Sequence, residues 1–129
     1  MDDFQHISTA LKFNERINAR DLTGLGEMMT EDHVFIDIPG EVHSSRPMMV
    51  SGWFDFFRFY PDYRNNFTHI EVKEGLVIMV GFSECSHDSL DGPAIWTAKI
   101  RDGLISEWRV YEDNEDTRKE LGITYPIGI

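Results

Sequence analysis

The hydrophobic pattern of this chain changes period once, near Pro61, and that change limits the fold more than any other feature. Before it, apolar residues recur at helical spacing. After it, they alternate or run on continuously, as strands do. Residues Asp3 to Ala19 read as an amphipathic helix, with Phe4, Ile7, Leu11 and Asn14 in one row and Ala10, Phe13 and Ile17 in the next. Asp21 fits the N-cap of a second, short helix carrying Leu22, Leu25, Met28 and Met29. Val34 to Ile38 predicts a short strand, and Glu41 to Arg46 a polar loop. Ser45 and Pro47 mark the start of a third helix with Met49, Trp53, Phe56, Phe57 and Tyr60. Pro61 must end it.

The second half reads as four strands. Asn66 to Lys73 alternates and is followed by a Glu74-Gly75 turn. Leu76 to Phe82 is an unbroken apolar run, as in a central strand. Asp88 to Pro93 is a turn region, and Asp102-Gly103 joins the strands Ala94 to Arg101 and Leu104 to Tyr111 in a hairpin. Glu115 to Leu121 predicts a last helix ending at Gly122. Helices gathered before strands predict an α+β fold with a curved, mostly antiparallel sheet. Three helices from the N-terminal half would wrap it into a cone with an internal pocket.

The 129 residues suffice for one core, so residues 1–129 are expected to form a single domain. Asp and Glu outnumber Lys and Arg by 23 to 12, giving a net charge of −11. That field repels nucleic acid and anionic membrane, so neither is an expected partner. The lone Cys85 excludes an internal disulfide and a cysteine-based zinc site. The N-terminus has no basic or apolar leader, and no run approaches the ~18 apolar residues of a membrane helix. A soluble cytoplasmic protein is the expectation.

The stretch Val34-Phe35-Ile36-Asp37-Ile38-Pro39-Gly40 places one carboxylate in an apolar run that stops at Pro-Gly. Alternation puts Phe35 and Asp37 on one face. If that face lines a cavity, the Asp37 pKa would rise and the group becomes a proton shuttle. The alternative is a strand-end Asp that turns to solvent or caps the turn. The five histidines are His6, His33, His43, His69 and His87, and no two sit four apart on a helix. No metal site is therefore expected. His43 follows Gly40 near the expected cavity mouth, and His69 lies on an alternating strand that could face either way. No Gly-x-Ser-x-Gly elbow and no glycine-rich phosphate loop occurs.

The arrangement, with its motifs, resembles the nuclear transport factor 2-like superfamily. Within it, the chain is most similar to the SnoaL-like polyketide cyclases and ketosteroid isomerase-like proteins. The resemblance rests on Ile17-Asn18-Ala19-Arg20-Asp21-Leu22, Phe35 to Gly40, Tyr60-Pro61-Asp62-Tyr63, Asp102 to Trp108, and Tyr111-Glu112-Asp113 followed by Leu121-Gly122. It implies Asp37 at the position of an isomerase general base. It puts Phe13 where those enzymes keep an oxyanion-donating tyrosine, and phenylalanine cannot donate. It implies Asp113 near the position of a cyclase acid/base, although alternation from Trp108 and Val110 sets Asp113 on the other face.

The expected catalytic groups are thus Asp37 and Asp113. The expected ligand-contacting residues are Phe13, Ile17, Phe35, His43, Trp53, Phe57, Tyr63, His69, Met79, Trp96 and Trp108. The reading is a cofactor-independent isomerase or cyclase that abstracts a proton beside a carbonyl on a small apolar, ring-containing ligand. A non-catalytic binding or interaction module of the same fold is the alternative. Epoxide hydrolysis, which the resemblance ties to an Asp-Arg-Asp set that Arg101 and Asp113 could supply in part, comes third. The outer sheet face, with Ile95, Thr97, Lys99, Arg101, Ile105, Glu107, Arg109 and Tyr111, predicts a homodimer, as the resemblance also implies.

Overall fold

The computed structural model describes residues 2–123. Helix α1 spans Asp3–Ala19 and starts in a capping box: the Asp2 carboxylate accepts from the Gln5 N–H, and the Gln5 side chain accepts from the Asp2 N–H. Helix α2 is Leu22–Glu27, with Asp21 accepting from the Gly24 N–H at 2.9 Å. The same carboxylate pairs with Arg16 at 2.6 Å, so one side chain starts α2 and pins it to α1. A Cβ on Gly24 would meet Asp21 Oδ2 at 2.3 Å, so only glycine admits this cap. Strands β1, Met29–Ile36, and β2, Val42–Ser44, follow, then helix α3, Arg46–Phe59. Strands β3 (Arg64–Lys73), β4 (Leu76–Glu84), β5 (Gly92–Arg101) and β6 (Leu104–Glu112) lead to helix α4, Glu115–Leu121.

The strands form one six-stranded sheet in the order β2-β1-β6-β5-β4-β3. All neighbours are antiparallel except β1 and β6, which run parallel. The α+β class, the curved mostly antiparallel sheet and the three wrapping helices agree with the sequence. The polar loop expected at Glu41 to Arg46 instead contains β2, paired to the end of β1 through Phe35 and His43. Strand β1 begins five residues before Val34 and stops at Ile36, so Asp37 lies just past the strand. Among the described residues no helix is long and apolar enough to cross a membrane.

The main core fills the concave side. Phe13 and Ile17 of α1, Leu25 of α2, Met29 of β1, Met79, Trp96, Ile105 and Trp108 are all essentially inaccessible. Each such side chain contributes about 1.5–3 kcal/mol by leaving water. A smaller cluster of Ile78, Val80 and Ile95 lies on the opposite face, with Leu121 and Ile123 packed on it. That face is therefore partly covered by the chain itself. Ile105, expected there, sits instead in the main core. A register shift between Lys99 and Ile100 pairs Ile105 with Ile100 and moves it across.

A second bulge falls in β3 between Phe67 and His69. The Phe67 ring packs on Trp96 at 5.1 Å inside the cone. Without the extra residue Thr68, alternation would bring His69 inside as well. With it, Ile70 and Val72 face the core, and His69 and Glu71 turn to the outer face, where they meet at 3.2 Å. Gly81 of β4 makes room for this, since a Cβ there would lie 1.9 Å from the Asn66 carbonyl oxygen.

Ser45 joins β2 to α3. Its φ and ψ are 80° and 145°, a conformation that non-glycine residues adopt only at a cost. Its N–H donates to the His33 carbonyl at 2.9 Å, and its side chain caps α3 at the Met48 N–H.

Candidate functional site

The start of β3, the end of β4, the start of β5 and the ends of β6 and β1 meet at one end of the sheet. With β2 and α3 they enclose a cavity of about 890 Å³. Such a volume suits a ligand of a few fused rings. Phe35, Trp53, Phe56, Tyr63, Trp96, Trp108 and Val110 supply most of its wall. Ile38 and Met48 continue it as exposed apolar residues.

Asp37 and His43 line the same cavity. Pro39 and Gly40, the latter at φ 91°, turn the chain back so that β2 pairs with the end of β1. Register places His43 opposite Phe35, with ring centroids 6.1 Å apart. His43 Nε2 then lies 3.1 Å from Asp37 Oδ2, and the Glu41 N–H donates to Asp37 Oδ1 at 2.8 Å. Asp37 is thus both a turn cap and a cavity-wall carboxylate, which joins the two alternatives read from sequence.

The direction of its pKa corrects the expectation. Burial is the largest single influence and raises it. The hydrogen bonds from His43 and from the Glu41 N–H together outweigh burial and hold the carboxyl below its ordinary value. Asp37 is therefore an ionised partner for His43 at neutral pH. Glu41 stands beside them: the ligand atoms of Asp37, Glu41 and His43 lie within 4.8 Å of one another. This oxygen-and-imidazole set could hold a divalent cation, a grouping that sequence spacing did not suggest.

A second polar group lies across the sheet order, where Asn65 of β3 pairs with Ser83 of β4. The Asn65 side chain donates to Asn14 Oδ1 at 3.1 Å, and its backbone exchanges two hydrogen bonds with the Asn18 amide, at 2.9 and 3.0 Å. These bonds fasten α1 to the sheet. Ser83 donates to the Leu90 carbonyl at 2.6 Å. Tyr63 stands with them; burial pushes its hydroxyl well above the ordinary tyrosine range, against smaller opposing hydrogen bonds with Asn65 and Ser83. Spacing alone points to neither Asn65 nor Ser83: the serine lacks a nucleophile context, and an isolated amide on a strand carries no motif.

Of the expected ligand contacts, the structure brings Phe35, His43, Trp53, Tyr63, Trp96 and Trp108 to the cavity together with Asp37. It does not bring the others. Phe13, Ile17, Phe57 and Met79 are core residues behind the wall; Phe13 packs on Trp108 at 4.8 Å. His69 is on the outer face with Glu71. Asp113 lies just past β6 and pairs with Arg118 at 2.7 Å, with side-chain exposures of 10% and 9%. Arg101 binds Asp32, whose carboxyl that hydrogen bond pulls down to about 2. Arg101 and Asp113 are thus engaged separately, which leaves the epoxide-hydrolase set unassembled.

Residues 10–108 match the model of the SnoaL-like domain family. No curated protein matches the chain. Among solved structures, the chain is similar to IdmH of Streptomyces antibioticus, described as a candidate polyketide cyclase. The identity is 22% and the TM-score 0.69, covering 92% of this chain and 99% of that one. It is also similar to a candidate SnoaL-like polyketide cyclase of Shewanella putrefaciens, at 16% identity and a TM-score of 0.74, over 92% and 86% of the two chains. TerC, crystallised with polyporic acid, aligns at 13% identity with a TM-score of 0.71, over 89% and 96%. At these identities the likeness carries the fold.

Proposed function

The chain belongs to the SnoaL-like domain family, and from that premise we propose that it abstracts a proton next to a carbonyl on an apolar, ring-containing ligand held in its cone. The observation that carries this reading is the Asp37–His43 contact in the wall of an aromatic-lined cavity. Histidine is the side chain suited to exchanging protons near neutral pH. An ionised Asp37 accepting from Nε2–H leaves the His43 Nδ1 lone pair for the ligand and stabilises the imidazolium that forms. His43 then takes the proton from the carbon beside the carbonyl, and the bonding pair moves to give an enolate. The enolate is reprotonated at another carbon, or its carbon attacks a second carbonyl to close a ring. His43 returns the proton in either case, so no organic cofactor is needed.

The test is proton exchange. 2-Tetralone incubated with the protein in D2O should gain deuterium beside its carbonyl faster than in buffer. Exchange at the buffer rate, or unchanged exchange in both Asp37→Asn and His43→Phe, refutes the reading.

One observation favours binding without chemistry. Phe13 has no proton to donate to an oxyanion. TerC, a protein of similar fold, was co-crystallised with polyporic acid. A ligand captured from cell extract and recovered unchanged, with no deuterium exchange, would support this second reading.

A further inference from the structure

Trp53 lines the cavity, is only 7% exposed, and its indole Nε1–H is buried with no acceptor. An indole nitrogen can only donate. Buried donors are nearly always paired, and leaving one unpaired is costly. The surroundings explain the vacancy. Phe35, Phe56 and Phe57 pack around the ring at 6.1, 5.5 and 5.5 Å, and none carries a polar atom. Two other donors of the wall are already engaged: Ser83 gives its proton to the Leu90 carbonyl, and the Asn65 amide donates to Asn14.

We propose that the Trp53 indole N–H is a ligand-contacting donor that receives the carbonyl oxygen of an uncharged, flat aromatic ketone or quinone. The proposal deepens the proton-abstraction reading, and rests on it for the identity of the oxygen as a carbonyl. Phe35 connects the two sites, with its ring centre 6.1 Å from both the Trp53 and His43 rings. Trp53 and His43 thus flank Phe35 in one wall, close enough for a single planar ligand to span both. The chain thereby regains, from α3, a donor of the kind that Phe13 on α1 cannot supply. A hydrogen bond made in a dry apolar wall also discriminates, since a ligand without the oxygen leaves the N–H unpaired.

The test compares 9-fluorenone with fluorene, which differ only in a carbonyl replacing a methylene. Affinities are read from quenching of the intrinsic tryptophan fluorescence. The expected result is a three- to tenfold preference for fluorenone, the worth of one neutral hydrogen bond. In Trp53→Phe that preference should vanish, with fluorenone and fluorene bound equally well. A preference that survives Trp53→Phe, or a wild-type chain that favours fluorene, overturns the proposal; the second result would mean that the N–H rests on a phenylalanine ring face.

If Trp53→Phe does not fold, the wild-type chain with 15N-labelled indoles decides. The N–H resonance assigned to Trp53 through its contacts to the Phe56 ring should move downfield with fluorenone and not with fluorene. Equal shifts with both probes, or none, refute the assignment. Fluorenone has no hydrogen on the carbons beside its carbonyl, so this binding readout is independent of proton exchange. Failure of exchange with the fluorenone preference intact would remove the catalytic reading and leave the Trp53 donor standing.

Discussion

Arg118 grips the Asp113 carboxylate with two hydrogen bonds, from Nε at 2.7 Å and from a terminal nitrogen at 2.9 Å, and both side chains are about nine-tenths buried. The pair ties the end of β6 to α4. Breaking such a pair from one side leaves a buried charge and costs about 3–5 kcal/mol. Asp113→Ala should therefore lower the melting temperature, by on the order of 10 °C for a chain of this size. Fluorenone affinity at a temperature where the variant is folded should stay within about twofold, as expected of a structural pair outside the cavity. A stable Asp113→Ala chain lacking deuterium exchange would restore Asp113 as a catalytic group.

Asp37→Asn and His43→Phe should behave in the opposite way. Asp37→Asn keeps an oxygen for the Glu41 N–H, so the turn persists. The exchange rate with 2-tetralone should fall by about 10²–10⁴ in His43→Phe, the usual contribution of a positioned general base, and should also fall in Asp37→Asn, which loses the carboxylate that orients the imidazole. The melting temperature, read by differential scanning fluorimetry, should move by only a few degrees, because both side chains are partly open to water.

His33 makes stability pH-dependent. It is fully buried, its Nδ1 bonds the Ile105 carbonyl at 2.7 Å, and its Nε2 has no partner. Burial, only partly offset by that bond and by Asp32, depresses its pKa. The unfolded chain takes up a proton as pH falls through about 6.5, while the folded chain resists until lower pH. More protons are then bound by the unfolded state, so stability declines as pH drops below about 6.5, by at most about 1.4 kcal/mol per unit. Urea unfolding at pH 7.5 and 5.5 should record this decline. His33→Gln should flatten it, and an identical slope in that variant would refute the assignment.

Gly81 is the space that the β3 bulge requires. Gly81→Ala should destabilise the chain by at least about 1–3 kcal/mol, because backbone rather than a side-chain tip stands in the way. Denaturant midpoints measure this. An alanine variant as stable as the parent would mean that the bulge can relax.

We also propose that the outer sheet face around Lys99, Glu107 and Arg109 pairs with a second copy of the chain. Light scattering should then give twice the 15.0 kDa of one chain, and Arg109→Glu should halve that mass. A parent protein with the mass of one chain would end the proposal.

Local chemistry made the helices readable. Asp21 and Ser45 each cap the helix that their position suggests, and Gly122 ends α4 in the left-handed conformation. The hairpin at Asp102-Gly103 was equally plain, with both residues at positive φ. Strand β2 was not, because Val42, His43 and Ser44 are all exposed and show no alternation. His69 went astray because face assignment accumulates along a strand, and one inserted residue reverses everything after it. Alternation placed Asp37 on the Phe35 face but could not count its hydrogen bonds, and that count set the direction of its pKa. The polar atoms of Trp53, Asn65 and Ser83 matter through what they lack or hold in three dimensions, which linear spacing does not record.

The backbone at Ser45 gives the cavity mouth a mechanical property. This one residue stands between the strand that carries His43 and the helix that carries Trp53, and its N–H is anchored to His33 in the buried core. Its unfavourable torsion stores about 1–3 kcal/mol. The spacing between imidazole and indole is thus set in part by a single strained joint tied to the core, so a substitution at Ser45 reaches both walls of the cavity at once.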